Sequence, residues 1–189
     1  MNLTGYFRTA DAGRSWTRSL IPFEAGDFPR VTFVSPDAGW VADGQGAVFR
    51  TVDGGATWQK SQVPSMQRLY LRDLHFLDRD RGWLLAEHTE QPHLFATTDG
   101  GRSWQPQAEE LLRGRAAFWV AFLDARLGFV GISRDDAGSA LLYTLDGGGH
   151  WRKLAVPHFV GGCQGFDGDL LCSASSKARG LIVLRIHPR

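Results

Sequence analysis

The chain has 189 residues, of which 43% are hydrophobic, and its 12 Phe and 7 Trp suffice to fill the core of one domain. Its 21 basic and 20 acidic residues give a net charge of +1, which disfavours a protein whose main task is to neutralise nucleic-acid phosphates. No run approaches the roughly 18 apolar residues of a membrane span. Residues 1–5 lack the basic start and apolar stretch of an export signal, so we expect none in this sequence.

The first elements in chain order are a partial repeating unit and a loop. Residues 2–19 hold an apolar run, an octamer that ends at Trp16 and the beginning of a strand, so the chain enters in the middle of a unit. Residues 20–30 contain two prolines and are predicted to form a loop, because proline interrupts regular structure. A complete unit is expected to begin at residue 30.

The same octamer occurs four times and sets the period of the chain. Its copies start 42, 46 and 47 residues apart, and a period of this length indicates repeated supersecondary units. Asp followed by glycine is typical of a tight turn, because the carboxylate accepts hydrogen bonds from backbone N–H groups and glycine tolerates positive φ. The defining positions are Thr9, Asp11, Gly13 and Trp16; Thr51, Asp53, Gly55 and Trp58; Thr97, Asp99, Gly101 and Trp104; and Thr144, Asp146, Gly148 and Trp151.

Each octamer is predicted to be a tight hairpin turn, because a short apolar run precedes it and a strand follows. Its Trp is expected to cover the turn and to pack against a neighbouring unit, with the indole N–H on a polar partner near the rim. Turn chemistry accounts for the four carboxylates, so we do not predict them to be catalytic acids or metal ligands. The fourth copy carries His150 where the others have a hydroxyl, which leaves its hydrogen bonding open.

A second motif keeps the same period. An apolar strand, a short turn and a strand that opens with Gly and an aromatic residue occur at 31–42, 74–85 and 120–131. Together with the octamers, this motif predicts units of four antiparallel strands, each of them one blade of a β-propeller. The predicted fold is therefore all-β, with a single propeller domain over 1–189 and blade units at about 2–19 (partial), 30–61, 72–106, 118–154 and 159–186 (partial).

The connections and the two partial units complete the prediction. Residues 87–93 and 133–139 are predicted as longer polar loops, and residues 107–115 as one helical turn. The last unit offers three strands and the first offers two, which is one strand too many for a blade of four. Three arrangements stay open: a four-bladed ring, part of a propeller of six or more blades, and a chain that shares blades with a partner through its open edges.

The two cysteines lie symmetrically about Asp167-Gly168, a preferred two-residue hairpin turn. Counting outward from this turn, Cys163 faces Cys172 at a non-hydrogen-bonded position, where side chains approach most closely. A cross-strand disulfide is therefore geometrically possible, and it would point to an oxidising compartment. Two small buried residues that stay reduced are the alternative.

The pattern Thr-x-Asp-x-Gly-x-[Ser/Thr]-Trp resembles the Asp-box, or BNR repeat, of many β-propellers. Residues 71–78, with Gly82-Trp83 and the octamer at 97–104, resemble the photosystem II assembly and stability factor family, and the likeness covers nearly the whole chain at the level of blades. The resemblance implies a non-catalytic lumenal or periplasmic factor that holds membrane-protein intermediates, with the Asp-boxes on the face opposite its binding sites. The chain is extracytoplasmic, periplasmic or secreted, if it follows these relatives.

A carbohydrate-active propeller is the alternative, either a sialidase-like or other glycoside hydrolase or a carbohydrate-binding fragment. Sialidases also carry Asp-boxes, but they need an arginine triad, a Tyr/Glu nucleophile pair and a Phe-Arg-Ile-Pro motif. Residues 28–30 read Phe-Pro-Arg, which is not that motif. The candidate tyrosines are Tyr6, Tyr70 and Tyr143, of which the first and last precede octamer turns.

A binding site is expected on the propeller face where the innermost strands begin. The candidate residues there are Arg30, Arg68, Arg72, Arg113, Arg115 and Trp119. Arginines beside an exposed aromatic ring suit an acidic or peptide partner through bidentate hydrogen bonds and stacking, whereas ordinary solvated rim charges are the plainer interpretation. Glu109-Glu110 is the only adjacent carboxylate pair on that face, and its side chains diverge, which disfavours acid–base catalysis.

No metal and no cofactor is expected. His88 and His93 flank a polar segment with Glu87 and Glu90, yet this spacing without a fixed scaffold is a weak metal signal. No Gly-rich phosphate loop, serine elbow or cysteine pair at zinc spacing occurs. The expected partner is a protein or peptide.

Overall fold

The computed structural model describes residues 3–9, 11–24, 29–64, 70–133, 139–156, 159–166, 169–176 and 180–186, and most of them lie in antiparallel β-sheet. Five sheets follow one another along the chain. The first pairs β1 (Leu3–Arg8) with β2 (Thr17–Glu24). The second contains β3 (Arg30–Phe33), β4 (Gly39–Ala42), β5 (Ala47–Thr51) and β6 (Gln59–Gln62).

The remaining sheets continue the pattern. The third contains β7 (Tyr70–Phe76), β8 (Gly82–His88), β9 (Gln91–Thr97) and β10 (Gln105–Gln107). The fourth contains β11 (Ala117–Phe122), β12 (Gly128–Ser133), β13 (Ser139–Thr144) and β14 (Arg152–Val156). The fifth contains β15 (Phe159–Phe166), β16 (Asp169–Ser176) and β17 (Gly180–Ile186). The short helix α1 (Glu109–Leu112) lies between the third and fourth sheets, inside the segment predicted to form a helical turn.

The blade architecture predicted from the two motifs is confirmed. Each complete sheet has its four strands in chain order, joined by hairpins, and the first strands of neighbouring sheets, β3, β7, β11 and β15, lie side by side. Among the described residues, β1–β2 and β15–β17 form separate sheets and do not share one. The chain is thus a partial β-propeller with three four-stranded blades.

Two predicted loops are in fact strand. β2 continues to Glu24, because Ile21 is a fully buried anchor and Pro22 lies at a register shift in an outer strand, where a missing N–H is tolerated. β8 and β9 leave only Thr89 and Glu90 between them, both with positive φ (48° and 63°), which is the geometry of a two-residue hairpin turn. Residues 134–138 of the other predicted loop lie outside the described part of the chain.

Stacked aromatic rings join the second sheet to the third and the third sheet to the fourth. Trp40 of β4 stacks on Phe76 of β7, with ring centroids 3.7 Å apart and planes within 5°. Trp83 of β8 stacks on Phe122 of β11 in the same way, at 3.3 Å and 7°. All four rings are buried, so each pair removes a large apolar area from water at the junction of two sheets.

The glycine that precedes each of these aromatic residues makes room for the phenylalanine of its own blade. Phe76 pairs with Gly82 across β7 and β8, and its ring lies flat over the glycine. A Cβ atom at position 82 would overlap that ring, and the same overlap would occur between Gly128 and Phe122. The Gly-aromatic motif is therefore a packing requirement, because the glycine admits one ring and the next residue supplies a ring to the following blade.

The fifth sheet carries a disulfide between Cys163 and Cys172, which face each other across β15 and β16 with Cα atoms 4.0 Å apart. The register is the one that counting outward from the Asp167-Gly168 turn predicts, although the turn itself lies outside the described residues. Cys172 is buried against the fourth sheet, so the bond ties the hairpin at the point where it packs on its neighbour.

Replacing Gly82 with Ala should destabilise the protein by about 1–3 kcal/mol, because the added methyl group displaces Phe76 from its stack with Trp40. Urea unfolding of the purified chain measures this loss. Gly162→Ala is the matched control, since a Cβ atom there meets nothing within 4 Å, and it should change stability by no more than about 0.5 kcal/mol. Equal effects of the two substitutions would contradict the packing argument.

Candidate functional site

The four Asp-box turns share one set of hydrogen bonds. In the second copy the Thr51 hydroxyl donates to Asp53 Oδ1 (2.8 Å) and accepts the N–H groups of Asp53 (3.3 Å) and Gly55 (2.8 Å). The Asp53 carboxylate also accepts the Thr57 N–H (2.9 Å) and the Thr57 hydroxyl (2.6 Å). The copies at 9–16, 97–104 and 144–151 repeat these contacts. The polar groups are thus consumed in holding the turn.

The fourth turn keeps this arrangement with a different side chain. The His150 N–H donates to Asp146 Oδ1 at 2.9 Å, and His150 Nδ1 lies 2.7 Å from Asp146 Oδ2. The imidazole nitrogen therefore stands where the other copies place a hydroxyl. The question left open by the sequence is answered, because His150 completes the same contacts.

These hydrogen bonds keep the Asp-box carboxyl groups ionised. The Thr57 hydroxyl, the Thr57 N–H and the Thr51 hydroxyl lower the pKa of Asp53 to about 2. Ser15 and Thr9 lower the pKa of Asp11 to the same value. At Asp99, burial raises the pKa, but the hydrogen bonds from Ser103 outweigh this effect and lower the pKa to about 2. The N–H and the imidazole of His150 lower the pKa of Asp146. A general acid needs the opposite shift, so these residues are structural.

The Asp-box tryptophans do not all behave as predicted. Each of the first three rings lies over a glycine two residues after the aspartate of its own turn, namely Gly13, Gly55 or Gly101, as expected of a residue that covers the turn. Trp16 Nε1 donates to Gly13 O at 3.1 Å. The prediction of a polar partner is wrong for Trp58, Trp104 and Trp151, whose buried Nε1 atoms have no hydrogen-bond partner among the described residues. The reason is packing, since Trp104 and Trp151 meet Phe76 and Phe122 edge to face.

The end of the sheets opposite the Asp-box turns, here called the upper face, is where β3, β7 and β11 begin. The Asp-boxes lie at the far end, because the N–H of Gly54 bonds Asp37 O and that of Gly100 bonds Asp80 O, in the turns that close the first two strands of each blade. The predicted binding residues can therefore be compared with the side chains found at this one end of the molecule.

Four residues of the upper face form a connected group, here called the Tyr70 cluster: Arg30, Tyr70, Arg72 and Glu87. Arg72 Nε donates to Glu87 Oε2 at 2.9 Å, Nη2 donates to the same oxygen, and the guanidinium lies 4.5 Å from the centre of the Tyr70 ring. Arg30 Nε donates to Arg72 O at 3.0 Å. Tyr70 remains 63% exposed, so the cluster presents a fixed aromatic ring to solvent.

The structure brings together some of the predicted binding residues and not others. Arg30 and Arg72 share the Tyr70 cluster, and the guanidinium of Arg72 binds Glu87. Their role as binding residues stays a prediction. Arg113 pairs with Glu110 at 2.8 Å beside α1, and Arg115 is half-buried. Arg68 lies outside the described residues.

Trp119 is not an exposed aromatic residue. Its side chain is only 4% exposed, its Nε1 donates to Val160 O at 3.2 Å, and its ring covers Gly131. The prediction of an exposed ring there is wrong, because the missing side chain of Gly131 leaves a space on β12 that the indole fills.

Tyr70 and Glu87 are the residues that the sequence did not bring forward as binding candidates. They pair across β7 and β8, and Glu87 was predicted to lie in a loop, which hid this pairing. Recognising Thr89-Glu90 as a two-residue turn would have extended β8 to His88 and placed Glu87 in a strand.

Neither a metal nor a membrane site emerges from the described residues. No three His, Cys, Asp or Glu side chains among them are grouped to hold a metal ion. Within the same ranges, no helix has the length and apolar character needed to cross a membrane.

Residues 4–121, more than half of the chain, match the family model described as Sortilin, neurotensin receptor 3 (Sortilin-Vps10). A search of curated proteins gave no match.

Three solved structures share the fold. YCF48 bound to a D1 peptide is 18% identical with a TM-score of 0.59, and the match covers 84% of this chain and 50% of that one. This chain thus spans about half of that structure. YCF48 from Cyanidioschyzon merolae is 16% identical with a TM-score of 0.51, over 97% of this chain and 77% of that one. The GH74 enzyme of Niastella koreensis is 15% identical with a TM-score of 0.57, over 79% and 26%. The predicted Asp-box propeller fold and its likeness to YCF48 are confirmed.

Acid should destabilise the protein as it protonates the Asp-boxes. The pKa of Asp53 falls from 3.8 to about 2 on folding, so its contribution to stability is present above pH 3.8 and is lost as the pH falls through about 2. Asp53→Asn removes this contribution, and we expect its urea midpoint to decline less between about pH 5 and pH 2 than that of the unaltered chain.

Asp80→Asn is the control for that experiment, because the Asp80 side chain accepts no hydrogen bond among the described residues. It should keep the pH dependence of the unaltered chain. A decline in Asp53→Asn as steep as in this control would show that the Asp-box hydrogen bonds do not set acid stability.

Proposed function

This chain belongs to the Sortilin-Vps10 family, described as Sortilin, neurotensin receptor 3, and we propose that it is a non-enzymatic scaffold whose upper face binds a peptide segment of a protein partner. The observation that carries the proposal is the exposed ring of Tyr70, held in place by Arg72. Tyrosine and arginine are enriched among the residues that dominate protein–protein binding energies.

The Tyr70 cluster is suited to this role because its side chains already contact one another before a partner binds. Glu87 holds the Arg72 guanidinium through two hydrogen bonds to one carboxylate oxygen, and the guanidinium stacks on the Tyr70 ring. A ring fixed before binding loses little side-chain entropy when a partner covers it. Arg30, anchored through Nε to the backbone of Arg72, adds positive charge beside the ring, which favours a segment with an acidic residue or a terminal carboxylate.

The comparisons support a peptide as the class of partner. One of the solved structures with this fold is YCF48 bound to a D1 peptide. We therefore propose an assembly-factor role of the YCF48 kind, in which the propeller holds a segment of another protein.

We also propose that the protein works in an extracytoplasmic, oxidising compartment, periplasmic or secreted. The support is the disulfide between Cys163 and Cys172, because such bonds persist where thiols are not kept reduced.

A glycoside hydrolase is the second candidate, favoured by the likeness to the GH74 enzyme. Against it, every described carboxyl group with a shifted pKa has it lowered, and all of them lie in Asp-boxes or in turns on the same end of the blades. Glu110, one of the two adjacent carboxylates predicted on the upper face, is exposed and paired with Arg113. Turnover of fluorogenic glycosides that is abolished by Glu109→Gln would favour the enzyme over the scaffold.

Tyr70→Ala should weaken peptide binding about tenfold or more, because it removes the exposed ring that a partner would cover. Isothermal titration with the D1 peptide and with a glutamate-rich peptide of the same length measures the effect. Leu145→Ala is the control, since Leu145 is 51% exposed in an Asp-box turn at the other end of the molecule, and it should bind as the unaltered chain does. Unchanged binding in Tyr70→Ala would rule out the upper face as the site.

Thiol trapping tests the compartment. When cells that make the protein are treated with a maleimide before lysis, the purified chain should carry no label until it is reduced, and two labels afterwards, as it has two cysteines. Cys172→Ser should take one label without reduction. Two labels on the unaltered chain before reduction would place it in a reducing compartment.

A further inference from the structure

The junction between the third and fourth sheets contains a histidine, His75 of β7. His75 pairs with Trp83 across β7 and β8, and their ring centres lie 6.1 Å apart. Residues that pair in this way point to the same face of a sheet, and Trp83 stacks on Phe122 of β11. His75 therefore faces the fourth sheet, beside the stack that joins it to the third.

The equivalent position in the neighbouring blades carries no ionisable group. Thr32 pairs with Trp40 in the second sheet, and Ala121 pairs with Phe129 in the fourth. Each of these residues directly precedes the phenylalanine that lies over a glycine, as His75 does. A blade thus forms without a histidine at this position, so the imidazole is a property of this junction and not of the repeat.

The junction accommodates His75 in its neutral form. Its Nε2 atom is buried and has no hydrogen-bond partner among the described residues. A protonated imidazole carries an N–H on each nitrogen, so protonation would place a charge, and a donor without an acceptor, between two sheets. Burial accordingly lowers the pKa of His75 from its ordinary value of 6.5, and this effect outweighs those of Asp73 and the Phe122 backbone, which both raise it.

Asp73 is the charged residue that acts on His75. It lies two residues earlier on β7, and its carboxylate accepts the N–H groups of Leu74 and of Val120 on β11, both at 2.9 Å. The other two strands packed against His75 present uncharged groups, the ring of Trp83 on β8 and the backbone of Phe122 on β11. Asp73 thus attracts an imidazolium but does not accept a hydrogen bond from its Nε2.

We propose that His75 makes the junction between the third and fourth sheets sensitive to acid, so that β7 and β11 stay together while the imidazole is neutral and separate when it is protonated. The Asp73–Val120 hydrogen bond and the Trp83–Phe122 stack hold this junction closed. An imidazolium is stable there only if water reaches Nε2, and opening the junction admits that water. The junction of the second and third sheets has Thr32 at the equivalent position and lacks this trigger.

The pH range of the opening follows from the direction of the pKa shift. Because folding lowers the pKa of His75 below 6.5, its contribution to stability is complete above pH 6.5 and is lost as the pH falls below that value. The carboxyl groups of Asp53 and Asp99, whose pKa values are about 2, respond at lower pH. The range from about pH 7.5 to pH 5 therefore isolates the histidine.

Hydrogen exchange of the full chain, followed by NMR, tests the proposal at two junctions. The Val120 N–H, which binds Asp73, reports on the third and fourth sheets. The indole N–H of Trp40, which binds Gly100 O, reports on the second and third. Between about pH 7.5 and pH 5 we expect the protection of the Val120 N–H, relative to the unfolded chain, to fall severalfold. The protection of the Trp40 indole should stay constant.

Two variants that lack the imidazole and one matched control assign the effect to His75. His75→Gln keeps a polar side chain that cannot titrate, and His75→Thr copies the residue of the second sheet, so Val120 protection should not depend on pH in either of them. His88→Gln is the control. His88 lies five residues after Trp83 on β8 and so points to the opposite face of the sheet, and this variant should respond to pH as the unaltered chain does.

Three outcomes would overturn the proposal. The first is constant protection of the Val120 N–H across this pH range in the unaltered chain. The second is a loss of protection that persists in both His75 variants. The third is an equal loss at Val120 and at Trp40, because it would show that acid unfolds the whole array and does not open one junction.

Discussion

The stack of a tryptophan on the phenylalanine of the next blade is the contact on which the rest of the structure depends. It joins sheets that share no hydrogen-bonded ladder, and it requires a glycine beneath each phenylalanine. The Asp-box serves the same junction from below, since the carbonyl of Gly100 receives the indole N–H of Trp40. At this junction the turn and the stack therefore form one unit, whereas Trp83 Nε1, at the next junction, has no hydrogen-bond partner among the described residues.

The two ends of the blades consequently have different chemistry. At the Asp-box end the carboxylates accept hydrogen bonds from hydroxyls and N–H groups of their own turns, so few of their oxygen lone pairs are left to bind a ligand. At the upper face the strands begin without such a motif, and long side chains from different blades meet, as Arg30 of the second sheet does with Arg72 of the third. The proposed binding face therefore lies where the repeat imposes least on the sequence.

The sequence predicts what is local and repeated. Aspartate, glycine and tryptophan at fixed spacing predicted the four turns, the Gly-aromatic motif completed the four-stranded blades, and the Asp167-Gly168 turn predicted the facing cysteines. It did not predict the burial of Trp119, which depends on the absent side chain of Gly131 on another strand. It also missed that Glu87 lies in β8 opposite Tyr70, because the turn at Thr89-Glu90 lacks the usual glycine and Glu87 was expected to lie in a loop. Both failures concern contacts across strands, where the identity of one residue decides the position of another that is distant in sequence.

Because each sheet packs mainly on its neighbours in chain order, the molecule behaves as a short linear array whose stability is a sum of nearest-neighbour terms. The third sheet has such a neighbour on each side. The first has one, the second sheet, and reaches it through Tyr6 and Arg8 rather than through a parallel ring stack. Unfolding should therefore start as fraying at this end, and amide hydrogens of β1 should exchange with solvent long before those of β8.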